Sequence, residues 1–334
     1  MASALVLAAS LVIACRADRE PPLRIGTGYW PSNELLFLAQ DQGWLRPAEF
    51  RLVEFVDDGE VMRGFRNRAV EAAWLSMDEV LAVAQSGAVD PVILFLSDES
   101  RGGDAVVAQP DLITPADLKD RRVAAQINSV NAYLLDRALR QAGLVASNVR
   151  LVNLPPYRHL AAFRRREVDA VVTYEPVRSQ IIEAGGVEIF NSVSTPFEIL
   201  RVLVIRRDYL ESHEQQASAL CSAWSRAATE VAASSMARSW IANRLGTTDA
   251  GFERMMERIR IISLPESREW LAVPRPQLVA TIARLQAELL SAGLLTASTP
   301  FDSLFRWPFA SCVSACCATR PSQRQDHRRR SGLA

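Results

Sequence analysis

The chain has 334 residues, 49% hydrophobic and 23% charged, which is enough to bury sizeable cores and too much for one small domain. Its formal net charge is zero, yet six arginines and one aspartate fall from Arg306 onward, leaving 32 basic and 37 acidic residues before it, a net of −5. A mildly acidic body of this kind lacks the basic footprint of a nucleic-acid binder.

Residues 1–14 are small and apolar, Cys15 follows, and residues 16–20 (RADRE) turn abruptly polar. The run is too short for a stable membrane span and has the form of an export signal. Residues 11–15 (LVIAC) resemble a bacterial lipobox, so Cys15 is the expected lipidation site, although no Lys or Arg precedes the apolar run. Cys221, alone in a helical stretch, reads as a small core residue. Cys312, Cys316, Cys317 and His327 lie in an aperiodic Pro/Ser/Arg-rich tail, 306–334, which is expected to be disordered and not a metal site.

Leu23–Thr27 reads as a strand ending in a glycine-proline loop, residues 28–34. Leu35, Leu36, Leu38 and Ala39 follow at helical spacing, with Ser32 or Asn33 as cap and Gly43 as stop. Residues 50–56 form a second strand, 57–59 a turn, 60–67 a helix and 71–75 a third strand. A short helix over 78–85 ends near Gly87, and the continuous apolar run 91–96 suits a strand buried on both faces. Gly102 and Gly103 make a bendable joint before the strand Asp104–Ala108, which opens on a carboxylate. Thr114, Pro115 and Asp117 open a capped helix. Residues 122–125 are a strand, 130–142 a helix with the buried stripe Leu134, Leu135, Ala138, Leu139 and Ala142, and 150–152, 170–173, 187–190 and 199–205 further strands. Residues 207–244 read as helical and 277–293 as an amphipathic helix.

One stretch occurs twice. Residues 65–78 (FRNRAVEAAWLSMD) and 163–176 (FRRREVDAVVTYEP) stand 98 positions apart, Phe65 against Phe163, and the match extends to the preceding strands and helices. Each copy reads strand, helix, strand, helix, strand, which implies parallel pairing with right-handed crossovers. In such sheets ligands sit beyond the carboxyl ends of the strands. Two facing copies therefore bring residues 29–34 and 76–78 toward 129–131 and 174–175.

With these elements placed, residues 24–45 (RIGTGYWPSNELLFLAQDQGWL), 103–108 (GDAVVA), 117–124 (DLKDRRVA), 152–156 (VNLPP), 168–176 (VDAVVTYEP) and 202–210 (VLVIRRDYL) resemble the periplasmic substrate-binding proteins of ABC importers, in the nitrate/sulfonate/taurine and thiamine-precursor group. The likeness covers roughly residues 23 to 305. It implies an α/β fold of two lobes, the periplasmic-binding-protein type 2 architecture, with two doubly wound sheets joined by two crossover strands. It also implies a ligand in the cleft, delivery to a membrane permease with its ATPase, no cofactor, and a monomer in the periplasm or at the cell surface. Residues 23–103 with 206–305 are expected to form one lobe and 104–205, crossover strands included, the other, after a signal and linker over 1–22.

The residues expected at the ligand are Trp30, Glu34, Ser76, Asp78, Asp104, Ser129, Asn131, Tyr174 and Glu175. Glu175 precedes Pro176, which cannot continue a strand ladder, so its side chain is expected to turn into the cleft. Asp78 and Glu34 stand at helix starts, where they can serve as caps instead. Tyr29 reads as core. Carboxylates beside aromatic faces suit an amine or amidinium, whereas helix N-termini at Asn33 and at 129–131 favour an anion. The combination fits an amine, a zwitterionic sulfonate or a pyrimidine. A simple anion fits less well, since no Arg or Lys occupies the strand ends, with Arg201 the single counterexample.

Two other readings compete. The same fold resembles a pyrimidine synthase of thiamine metabolism that uses a lysine-bound cofactor, but Lys119, the single lysine, lies in a polar turn. His159 is expected on a surface-like helix and His213 in a charged loop, so no catalytic constellation is expected. A periplasmic sensor lobe would use the same cleft, but no span of some 20 apolar residues accompanies it.

Overall fold

The computed structural model describes residues 21–127, 129–272 and 276–305. β1 (Leu23–Thr27), α1 (Glu34–Asp41), β2 (Phe50–Glu54), α2 (Asp58–Arg66), β3 (Ala72–Ser76), α3 (Met77–Ser86) and β4 (Pro91–Ser100) form the first unit. β5 (Asp104–Ala108) leads into the second: β6 (Arg122–Ala125), α4 (Val130–Gln141), β7 (Arg150–Asn153), α5 (His159–Arg164), β8 (Ala170–Tyr174), α6 (Val177–Glu183) and β9 (Val187–Asn191). β10 (Leu200–Arg206) returns. It is followed by α7 (Arg207–Leu210), α8 (Glu214–Ala233), α9 (Ser235–Arg244), α10 (Asp249–Met256), β11 (Ile259–Ile261), α11 (Leu264–Ala272) and α12 (Pro276–Ser291).

The strands make two sheets, β11-β4-β10-β3-β1-β2 and β7-β6-β8-β5-β9. β1 pairs in parallel with β2 and β3, and β6 with β7 and β8. Each crossover strand inserts antiparallel into the sheet it enters: β5 lies between β8 and β9, β10 between β3 and β4. β10, expected with the second lobe, thus pairs within the first lobe's sheet. A strand lined on both sides by partners satisfies its backbone there and nowhere else.

The duplication persists to single hydrogen bonds. In the first unit the Arg24 backbone N–H and Nε both donate to Glu71 Oε2, at 2.9 and 3.0 Å, and Nη2 donates to the Arg68 carbonyl. In the second, 98 residues on, the Arg122 N–H and Nε donate to Asp169 Oδ2, at 2.8 and 3.2 Å, and Nη2 to the Arg166 carbonyl. Arg68 and Arg166 are both left-handed, with φ of 61° and 51°. Each ends a helix in a Schellman closure: Ala69 N–H to Gly64 O at 2.8 Å and Glu167 N–H to Ala162 O at 3.0 Å. A non-glycine residue in this conformation costs about 1–2 kcal/mol. The guanidinium at the strand start takes up the exposed carbonyl and offsets part of that cost.

Elsewhere the chain departs from the sequence expectations for identifiable reasons. The helix expected at Thr114 is a single 3₁₀ turn, Pro115–Leu118, held by the Asp117 carboxylate accepting the Ile113 and Thr114 N–H groups. The helical stretch from 207 breaks into three, because the Ser234 side chain starts α9 afresh by accepting the Ala237 N–H. β4 runs to Ser100, four residues past the apolar run, and all ten of its residues are buried. His159, expected near the surface, is fully buried, and its Nε2 bonds the Leu154 carbonyl at 2.8 Å.

One contiguous apolar cluster joins the inner faces of both sheets, from Trp30, Leu75 and Leu96 through Val106 and Leu134 to Tyr174. Separate clusters fill the outer faces: Trp74, Phe95 and Trp224 under α8 in the first lobe, Phe163 and Ile181 under α5 and α6 in the second. The lobes therefore meet over a shared core, with the carboxyl ends of their strands turned to one seam.

Candidate functional site

Arg201 sits at the centre of the seam. It lies on β10, opposite Ser76 of β3 and Asp98 of β4, and is 1% exposed. Its Nη2 donates to Asp58 Oδ2 at 2.8 Å, and its Cζ stands 4.6 Å from the Trp30 ring centroid and 5.7 Å from that of Tyr174. Burial works against its charge, but Asp58, Asp104 and Glu79 together outweigh it and hold the guanidinium above its ordinary pKa. Trp30 comes from the first lobe and Tyr174 from the second; their rings meet edge-on at 6.0 Å.

Five carboxyl groups surround this cation. Asp98 accepts from Trp30 Nε1 at 3.1 Å, Ser32 Oγ at 2.6 Å and Ser97 Oγ at 2.7 Å. Burial raises its pKa, and Ser32, Arg201 and the other donors oppose the rise. Glu79 accepts the Ser76 N–H at 2.9 Å, and burial with the charges of Asp58 and Asp78 pushes it well up. Asp78 is raised by burial, against the Ser76 hydroxyl and Arg201. Asp104, at the start of β5, is pushed up to about 7 by burial, with Arg201 opposing.

The site is incompletely paired. Asp104 Oδ1 and Oδ2, Arg201 Nε and Nη1, Asp58 Oδ1 and Glu79 Oε1 are buried without a hydrogen-bond partner. Among the described residues, the charged atoms left so are these and Arg260 Nη1 alone. Buried ionic groups are stable only when paired and hydrogen-bonded, which makes these atoms the candidates for contact with a bound water or solute. Two glycines let the side chains of this cluster pack against the backbone. A Cβ on Gly28 would stand 2.4 Å from Asp58 Oδ1, and one on Gly103 2.9 Å from Trp30 Cη2.

Of the residues expected at the ligand, Trp30, Ser76, Asp78, Asp104 and Tyr174 gather around Arg201. Four are committed elsewhere. Glu175 does not turn into the cleft: its Oε1 accepts from Arg178 Nη1 at 3.1 Å and Ser179 Oγ at 3.0 Å, at the start of α6. Glu34 accepts from Arg244 Nε at 2.5 Å, within the first lobe. Ser129 caps α4, with its hydroxyl on the Gln126 carbonyl, and Asn131 Nδ2 ties α4 to the Val172 carbonyl at 2.8 Å. Tyr29, expected in the core, is 36% exposed and donates to the Leu245 carbonyl at 2.9 Å.

Asp58, Glu79 and Asp98 were not anticipated. Their signals are an acidic pair read as a turn and a polar run, SDES, closing an apolar strand. Gln126 joins the lobes directly, its Nε2 donating to Asp57 Oδ1 at 2.7 Å. Cys15 and the Cys312, Cys316, Cys317 and His327 group lie outside the described residues.

The sequence pattern that defines the NMT1-like family matches residues 16–246, more than half of the chain. The chain belongs to the NMT1-like family. This NMT1-like protein is 30% identical over 139 residues to a taurine-binding periplasmic protein of Escherichia coli, over 40% of this chain and 43% of that one. It therefore spans less than half the length of that curated relative. In fold it is similar to the alkanesulfonate-binding protein SsuA of Xanthomonas axonopodis pv. citri, solved with MOPS, at a TM-score of 0.70 and 19% identity over 86% of this chain and 98% of that one. It is also similar to the desulfurization enzyme DSZB, at a TM-score of 0.61 and 14% identity over 87% and 97% of the two chains. At such identities the likeness carries the fold, a two-lobe periplasmic-binding-protein architecture, which binding proteins and an enzyme share.

Proposed function

We propose that this NMT1-like protein is the solute-binding component of an ABC importer. In this reading it captures a small organic molecule that carries both an anionic or acceptor group and an amine-like donor. The observation that carries this is the juxtaposition of unpaired Arg201 Nε and Nη1 with the unpaired carboxylate of Asp104, fully buried where the two lobes meet. A sulfonate or ring nitrogen would complete Arg201, and an ammonium or exocyclic amine would complete Asp104. Each charge-assisted bond contributes about 1.5–3 kcal/mol. A zwitterionic sulfonate such as taurine satisfies both ends, and an aminopyrimidine does so less fully. The likeness to a taurine-binding protein supports the first.

In this reading the site holds its solute without transforming it. The groups gathered around Arg201 are carboxyls, hydroxyls and aromatic rings, and Cys221 is buried in α8 within the outer core. Lys119 is exposed on its turn. Ligand bridging the lobes favours the closed state by the contacts it makes only there. Delivery to a permease, a monomeric state and a lipid anchor at Cys15 complete the proposal; a Cys15→Ser protein should leave the membrane fraction.

Calorimetric titration with taurine, short alkanesulfonates, alkylamines and 4-amino-pyrimidines tests the site. Binding of a two-ended molecule, lost in Arg201→Met, is expected. Absence of binding by every class, or an affinity indifferent to Arg201, would overturn it.

A further inference from the structure

Next to the charged cluster lies a hollow of different chemistry. It has a volume of 280 Å³ and is lined by Tyr29 and Val56 from the first lobe and by Pro156, Tyr157, Leu160, Ala161, Tyr174, Val177 and Gln180 from the second. No charged side chain lines it, in a chain where 23% of residues are charged. Val56 and Tyr157 are 63% and 61% exposed at its rim, while Val177 and Tyr174 close its floor. The Tyr174 ring belongs to both places: one side of its surroundings is Arg201 and Trp30, the other this apolar hollow. At roughly 30 Å³ per water, the space equals about nine waters, which is room for a small ring or a short alkyl chain.

We infer that the ligand is two-part, a charged head at Arg201 and Asp104 and an uncharged tail that passes Tyr174 into the hollow between Val56 and Tyr157. The inference rests on the head reading above and adds the class of solute: an N-alkyl, cycloalkyl or aryl derivative, and not the bare amino acid analogue. Tyr157, Val56, Leu160 and Val177 then set specificity without touching the charged groups. Because Tyr29 and Val56 face Tyr157 and Leu160 across the seam, a tail held there also bridges the lobes and adds to the ligand's preference for the closed form.

The test compares molecules with one head and different tails: taurine against 2-(cyclohexylamino)ethanesulfonate, and ethylamine against hexylamine, by calorimetry on the full protein. Each buried methylene is worth about fourfold in affinity. The tailed member of at least one pair should bind about tenfold tighter or better. Tyr157→Asp and Val56→Asp, at exposed positions that folding does not depend on, should erase that advantage and leave the short member's affinity unchanged. Equal binding of short and tailed members would overturn the tail assignment while leaving the head site standing, and so would a tailed advantage that survives both substitutions. Failure of all four molecules to bind would overturn both.

Discussion

The Arg201 guanidinium lies 4.6 Å from the centroid of the Trp30 indole, and that indole's own N–H donates to Asp98 on the neighbouring strand. One aromatic side chain thus supports the buried cation with its face and a buried anion with its edge. The ring's quadrupole favours this orientation, negative face to cation and positive edge to carboxylate.

Arg201→Met should abolish ligand binding while retaining most of the packing volume. It also strands Asp58, whose Oδ2 loses a 2.8 Å ion pair in a fully buried setting. Breaking such a pair costs about 3–5 kcal/mol. The Asp58→Asn, Arg201→Met double variant should recover much of the lost melting temperature without recovering binding, which calorimetry and thermal denaturation would show together.

Trp30→Phe should weaken both stability and binding, but less than Trp30→Ala. The phenylalanine keeps a face for Arg201 and removes the 3.1 Å bond to Asp98, an unsatisfied-acceptor cost of about 1–3 kcal/mol. Alanine also opens a cavity, at about 3–5 kcal/mol for a large aromatic. Urea denaturation of the two variants ranks them. An alanine variant as stable as the phenylalanine one would remove Trp30 from the core.

Asp104 makes the protein sensitive to pH near neutrality. Its carboxyl is raised by burial from 3.8 to about 7 in the folded state. The proton is therefore bound more tightly when folded, so the associated stability is present in full below about 4 and is lost as the pH rises to about 7. The loss is on the order of 4 kcal/mol. Melting temperature should fall across this window, and Asp104→Asn should flatten the fall. Ligands bearing a cation should bind more tightly as the pH passes 7; a purely anionic ligand should show the opposite trend.

Glu175→Gln should leave ligand affinity unchanged and lower stability instead. Its carboxylate, raised by burial against the pull of Arg178 and Ser179, holds the start of α6 and is fully buried. Neutralising it leaves Arg178 with Glu188 as its remaining anion. A calorimetric affinity reduced tenfold or more would place Glu175 back in the cleft.

Much of this molecule was legible before its structure. The repeat of FRNR and FRRR with apolar runs behind them carries the pairing order, because the same local signals, an aromatic-closed helix, a left-handed cap and a buried strand, act within a few residues of each other. Trp30 and Tyr174 were legible for a related reason: parallel strands deliver their carboxyl ends to one side, and these residues follow or close such strands, while Asp104 opens the antiparallel β5 directly opposite Tyr174. Glu175 and Glu34 show the limit. Each is an acid at a helix start: Glu34 finds its partner, Arg244, through the packing of helices 210 positions apart, whereas Glu175 is taken up by its own first turn, Arg178 and Ser179. Arg201 shows it most plainly. In sequence it is a lone charge in an apolar strand; only the antiparallel insertion of β10 between β3 and β4, joining residues more than 100 positions apart, surrounds it with five carboxyl groups and two rings. Local chemistry specified the elements, and the long-range pairing of one returning strand determined which charges would be buried together.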